Sequence, residues 1–156
     1  MERYVMSDKI FRIYRFKFYL NASHHVVFNG KEGETHPHTW EFTLEILIRR
    51  EENQQFSVYE KAVEDFFAPY QNQTMNDTPP FDTLLPTLEN MVEWFGEHLR
   101  PVVREVGGTL LQFEGSETPT RSYLVQYSAD DETLASVRKD GDKVLGQAFD
   151  TLLDSM

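Results

Sequence analysis

The chain of 156 residues is long enough for one hydrophobic core and short for two, and 15 lysines and arginines against 26 aspartates and glutamates give a net charge of −11. That excess argues against nucleic-acid phosphate or an anionic membrane as a partner, and the lack of cysteine excludes disulfides, thiolate metal ligands and a thiol nucleophile. No run approaches 18 apolar residues and residues 1–8 lack the segments of a signal peptide, so the expectation is a soluble, cytoplasmic, single domain spanning residues 1–156.

In chain order, the first signal is an alternation over residues 10–24. Ile10, Arg12, Tyr14, Phe16, Phe18, Leu20, Ala22 and His24 share one parity, with Arg15 and Lys17 on the other. Successive side chains of a strand point to opposite faces, so this predicts a long strand with a mostly apolar face and His24 at its end. His25 has the opposite parity and is assigned to solvent or loop. Gly30 and Gly33 among polar residues predict a loop joining two antiparallel strands. A second alternation starts at His36, with His36, His38, Trp40, Phe42, Leu44, Ile46 and Ile48 on one face. Side chains two residues apart stand on one side of the pleat, about 7 Å apart at the backbone, so His36 and His38 can converge on one ion. The hairpin brings His24 beside them. Three neutral imidazoles leave one position of a tetrahedral ion open, which is the arrangement of a catalytic rather than a structural zinc site.

Polar residues 51–55 then predict a turn. Ala62, Val63, Phe66 and Phe67 recur at helical spacing and predict a helix over 58–68, closed by Pro69; residues 70–85, rich in Asn, Gln, Thr and Pro, predict a connecting loop. A second helix opens at Thr87, a good N-cap, with Glu89 in its first turn. It carries the stripe Leu88, Met91, Val92, Phe95 and Leu99 and is expected to end near Arg100, before Pro101. Gly107 and Gly108 lead to a strand over 109–114, a turn over 115–119 and a strand over 122–127. The order strand, strand, helix, helix, strand, strand predicts an α+β fold, an antiparallel ββααββ sheet with two helices on one face. This core covers about residues 10–127. Residues 128–156 carry Leu145, Ala148, Phe149, Leu152 and Leu153 at helical spacing, which predicts a C-terminal amphipathic helical extension docked on this domain or a neighbouring subunit.

Four stretches in this order, residues 21–24 (Asn-Ala-Ser-His), 36–38 (His-Pro-His), 86–90 (Pro-Thr-Leu-Glu-Asn) and 116–120 (Ser-Glu-Thr-Pro-Thr), resemble the motifs of the 6-pyruvoyl-tetrahydropterin synthase and 6-carboxy-tetrahydropterin synthase family. The resemblance covers roughly residues 11–127. It implies the tunnelling fold, in which subunits join their sheets into a barrel, commonly as a hexameric homo-oligomer. It further implies zinc held by His24, His36 and His38, a pterin ring anchored by Glu117, and further pterin-pocket residues at Thr87 and Glu89. A carboxylate suits the pterin, because it accepts two parallel hydrogen bonds from the amidine-like N–H edge of the ring. The implied reaction starts from dihydroneopterin triphosphate, eliminates triphosphate and rearranges or cleaves the side chain.

The chain departs from the pattern at three places. Glu32 stands where the family has its catalytic cysteine, four residues before His36. A glutamate near there occurs in a branch that cleaves the side chain, which makes Glu32 the candidate base, with Glu34 as the other acid of the loop. The Asp-His pair that assists proton transfer aligns with Gln71 and Asn72, neither of which exchanges protons near neutral pH. Pro37 replaces the glycine between the two zinc histidines. Two functional readings follow: a lyase acting on dihydroneopterin triphosphate or a related pterin, or a catalytically degenerate pterin- or partner-binding relative that keeps the fold and the zinc site.

Overall fold

The computed structural model describes residues 13–48 and 56–127. The elements are β1 (Ile13–His24), β2 (Val27–Phe28), β3 (Lys31–Glu32), β4 (His36–Ile48), α1 (Phe56–Phe67), α2 (Leu88–Glu105), β5 (Gly108–Thr118) and β6 (Arg121–Gln126). β1, β4, β5 and β6 form one antiparallel sheet in the order β1-β4-β5-β6, and β2 and β3 form a separate two-stranded ribbon. The expected α+β architecture is therefore present. The expected start of β1 before residue 13, the turn over 51–55 and the C-terminal helix lie outside the described residues.

The predicted parity decides which face is covered. Phe18, Leu20, Ala22 and His24 on β1 and Trp40, Phe42, Leu44 and Ile46 on β4 are buried, and they meet Val63, Phe67, Met91, Val92, Phe95, Leu99 and Val103 of the helices. The opposite face is polar, with ion pairs Arg15–Glu45 at 2.7 Å and Lys17–Glu41 at 3.2 Å. α2 has a side-chain cap at its start, where the Thr87 hydroxyl accepts from the Asn90 N–H at 3.1 Å.

Three elements differ from expectation. α2 does not stop at Arg100 but runs through Pro101 to Glu105. Proline denies a donor to the carbonyl one turn earlier, yet Pro101 and Glu97 both lie on the exposed side, where water can satisfy that carbonyl, and the extra turn buries Val103. β5 continues through the expected turn to Thr118. Gly115 is there for room rather than for a turn: a Cβ on it would lie 2.6 Å from Val92 Cγ2 and 2.8 Å from Phe42 Cε1, so α2 reaches the sheet at this point. The segment over 70–85 is packed rather than a bare connector, with Tyr70, Met75 and Phe81 buried. It also lies along the edge of β1, where the Asn72 N–H donates to the Asn21 carbonyl and the Ser23 N–H to the Gln73 carbonyl.

One register shift matters for the site. Glu45 pairs with Gln112, but Ile46 pairs with Leu110, leaving Leu111 as an extra residue in β5. A one-residue bulge moves every later side chain to the other face. Before it Gly108 and Leu110 face the helices; after it Phe113, Gly115 and Glu117 do.

Candidate metal centre

The register pairs His24 with His36 and Ala22 with His38, so three imidazoles meet at the end of the β1–β4 hairpin. Their ring centroids are 4.6, 4.6 and 5.0 Å apart, and one ligand nitrogen from each lies within 4.8 Å of the others. His24 is 2 % exposed, whereas His36 and His38 are half-buried at the rim.

Hydrogen bonding fixes the tautomers. His24 Nδ1 lies 2.7 Å from the Pro86 carbonyl and His36 Nδ1 lies 3.0 Å from the Glu34 carbonyl. A carbonyl can only accept, so each Nδ1 carries the proton and donates. Both Nε2 atoms then hold lone pairs, yet they face each other at 3.0 Å. With both rings neutral, a proton between them would leave one Nδ1 without a hydrogen facing a carbonyl, and an additional proton would make one ring a cation, which the burial of His24 opposes. A cation between them satisfies both lone pairs and both carbonyls. Two nitrogens of a tetrahedral zinc ion, each about 2.0–2.1 Å from it, stand about 3.3 Å apart, close to the 3.0 Å between His24 and His36, and the His38 donor lies within 4.8 Å of both, near enough to join the same ion.

Burial pushes the His24 pKa below its ordinary value, opposed by the bond to Pro86 and by the Glu117 carboxylate. Burial lowers that of His38 as well, again opposed by Glu117. Both shifts favour neutral, ligand-competent rings. A histidine whose folded pKa is depressed binds fewer protons folded than unfolded, so its stabilising share is complete above about 6.5 and is lost as pH falls below that. In the metal-free protein the urea midpoint is therefore expected to fall between pH 7 and pH 5, and less steeply in His24→Gln. Identical pH dependence in the two proteins would contradict the assignment.

Glu117 completes the inner wall. Its Oε1 accepts from the Trp40 indole N–H at 3.1 Å and lies 3.7 Å from His24 Nε2, and its side chain is 17 % exposed. Thr87 sits next to Pro86, the residue that holds His24. Glu89 is exposed on the first turn of α2 and acts on Tyr123 of β6, whose pKa is raised by burial first, then by Glu93 and Glu89. Glu32 is exposed on the ribbon linking β1 to β4, opposite Val27, and its side chain makes no hydrogen bond or ion pair among the described residues.

Sequence reasoning missed three residues that shape this centre. Trp40 shares the parity of His36 and His38, but its indole bond to Glu117 has no sequence signal. Asn76 holds the main chain of His25 from both sides, with Oδ1 accepting from the N–H at 2.9 Å and Nδ2 donating to the carbonyl at 3.0 Å. Gln71 bonds the main chain of β1 at Tyr19 and Asn21.

The profile of the family described as 6-pyruvoyl tetrahydropterin synthase matches residues 13–128. No curated protein matches the chain. Among solved structures, the Caenorhabditis elegans 6-pyruvoyl tetrahydropterin synthase is similar with a TM-score of 0.60 at 14% identity, covering 76% of this chain and 98% of that one. A Plasmodium vivax 6-pyruvoyltetrahydropterin synthase, altered from glutamate to alanine at a catalytic residue, has a TM-score of 0.54 at 13% identity and covers 74% and 98%. The Plasmodium falciparum 6-pyruvoyl tetrahydropterin synthase has a TM-score of 0.52 at 15% identity, with the same coverage.

Proposed function

The chain belongs to the 6-pyruvoyl tetrahydropterin synthase family, and we propose that it is a zinc-dependent lyase acting on dihydroneopterin triphosphate or a related pterin, with elimination of triphosphate. The observation that carries this reading is the pair of Nε2 lone pairs 3.0 Å apart, each ring held from behind by a carbonyl, beside a half-buried carboxylate. His24, His36 and His38 would hold the zinc. When bound, it supplies Lewis-acid polarisation of the hydroxyls on the pterin side chain.

The chain's own residues divide the remaining work. Glu117 accepts the N–H edge of the pterin ring and sets how far the side chain reaches toward the histidines. Thr87 and Glu89, at the opening turn of α2, bound the same pocket. Glu32 takes a proton from the side-chain carbon next to the one that bears the triphosphate; the electrons of that C–H bond form a carbon–carbon double bond as the carbon–oxygen bond breaks and the triphosphate leaves with its electrons. The glutamate described as catalytic in the Plasmodium vivax relative supports a carboxylate base. The chain is proposed to act as a homo-oligomer, with the hexamer implied by the family, joined through the sheet edges at β6 and at the part of β1 before Tyr19, since residues 71–74 cover the rest of that edge.

The binding relative remains the second reading, because Gln71, at the relay position, directs its amide to the main chain of β1 instead of to the site. Incubating the zinc-loaded protein with dihydroneopterin triphosphate separates the two. The lyase reading expects substrate loss, release of triphosphate and a pterin product whose mass tells rearrangement from cleavage. Intact substrate with retained pterin binding would establish the binding relative.

A further inference from the structure

We propose that Trp40 is the positioning residue for the Glu117 carboxylate, its indole N–H determining how that carboxylate is presented to a pterin. The proposal rests on the reading of Glu117 as the pterin anchor. Its basis is that little else holds Glu117 in place. β4 pairs with β5 only as far as Ser116, and between β5 and β6 the register passes from Ser116↔Ser122 to Thr118↔Arg121, so Glu117 has no partner in either ladder.

Among the described residues, the side chain makes one hydrogen bond; the His38 ring acts on it through charge alone, and two polar atoms lie nearest. One is His24 Nε2, at 3.7 Å, beyond hydrogen-bond reach and bearing a lone pair because the proton is on Nδ1. The other is Trp40 Nε1, at 3.1 Å. An indole nitrogen donates only, so this bond has one direction, and a carboxylate acceptor makes it charge-assisted. Trp40 is itself immobile: it is 0 % exposed, opposite Leu20 in the β1–β4 ladder and edge-on to His24 with ring centroids 4.9 Å apart. It thus engages one lone pair of Oε1 and leaves Oε2 for a ligand. Phenylalanine would fill much of the same buried space without donating.

The test is calorimetric titration of the zinc-loaded full chain with neopterin, in wild type, Trp40→Phe, Glu117→Gln and the double variant. Losing a hydrogen bond to a charged group predicts roughly tenfold weaker neopterin binding in Trp40→Phe. In the Glu117→Gln background the same change should do little more, since the residue it positions is already gone. Weakening by Glu117→Gln but not by Trp40→Phe would overturn the positioning role and leave the anchor standing. Equal weakening by Trp40→Phe in both backgrounds would also overturn it, showing a general packing effect. No weakening by Glu117→Gln would overturn the anchor, and the proposal with it.

Because Trp40 is deep in the core, two measurements avoid dependence on one variant. Replacement of Trp40 by benzothienylalanine, which keeps the bicyclic shape and lacks the N–H, should reproduce the phenylalanine result, and wild-type affinity would overturn the proposal. In the otherwise unaltered protein, the Trp40 indole N–H resonance should shift on Glu117→Gln, and an unmoved resonance would contradict the bond.

Discussion

Replacing His24 by alanine is expected to abolish stoichiometric zinc binding, lowering affinity by roughly 10²–10³-fold or more, taking about 10–16 kcal/mol of binding energy shared among four ligands. His24 carries the largest effect because it is the buried member, meets both other rings and is fixed by Pro86. Its loss would remove one of the three imidazoles together with the side chain that bonds the Pro86 carbonyl just before α2. His25→Ala is the control. His25 follows the end of β1, with its Nδ1 3.4 Å from the Thr35 hydroxyl, and it is outside the three-histidine group. Zinc content after dialysis and a chelator competition give the comparison. One zinc retained in His24→Ala, or equal loss in His25→Ala, would remove the metal assignment.

The second large effect is expected at Glu32. Glu32→Gln should lower turnover of dihydroneopterin triphosphate by about 10²–10⁴-fold, the usual contribution of a positioned base, while zinc and neopterin binding stay at wild-type levels. The amide keeps the shape of the side chain and cannot take up a proton near neutral pH. Retained binding is expected because Glu32 is exposed and its side chain bonds no other described residue, so little packing depends on it. Its placement follows from the ribbon. Asn29 and Gly30, with φ of 53° and 76°, make the tight reversal between β2 and β3, and the Gly33 N–H donates to the Val26 carbonyl at 2.9 Å. The ribbon thus carries Glu32 between two strands that both end in histidines. Unchanged turnover would exclude Glu32 and direct attention to Glu34.

The features of the fold and of the site that are legible in the sequence are those set by local periodicity. Alternation over 14–24 and 36–48 gave the buried face of β1 and β4, and the same parity placed His24 with His36 and His38, because in a hairpin paired residues share a face. The helical stripes of α1 and α2 were legible for the same reason. What was hidden depends on contacts distant in sequence. Nothing local says that Leu111 is a bulge, yet without it Glu117 would face the polar side of the sheet. Gly115 looked like a turn residue until α2 was seen to need its missing side chain. Pro101 looked like a stop because the burial of Val103, which draws the helix onward, is tertiary. The groups behind these side chains were hidden too, since the Pro86 carbonyl reaches His24 across 62 positions and the Trp40 indole reaches Glu117 across 77.

The most direct test of the central claim, that His24, His36 and His38 hold one zinc and leave a position open beside Glu117, is X-ray absorption at the zinc edge of the loaded protein. The expected spectrum has three imidazole nitrogens at about 2.0–2.1 Å and one exchangeable light-atom ligand. Four protein ligands, or fewer than three imidazoles, would contradict it.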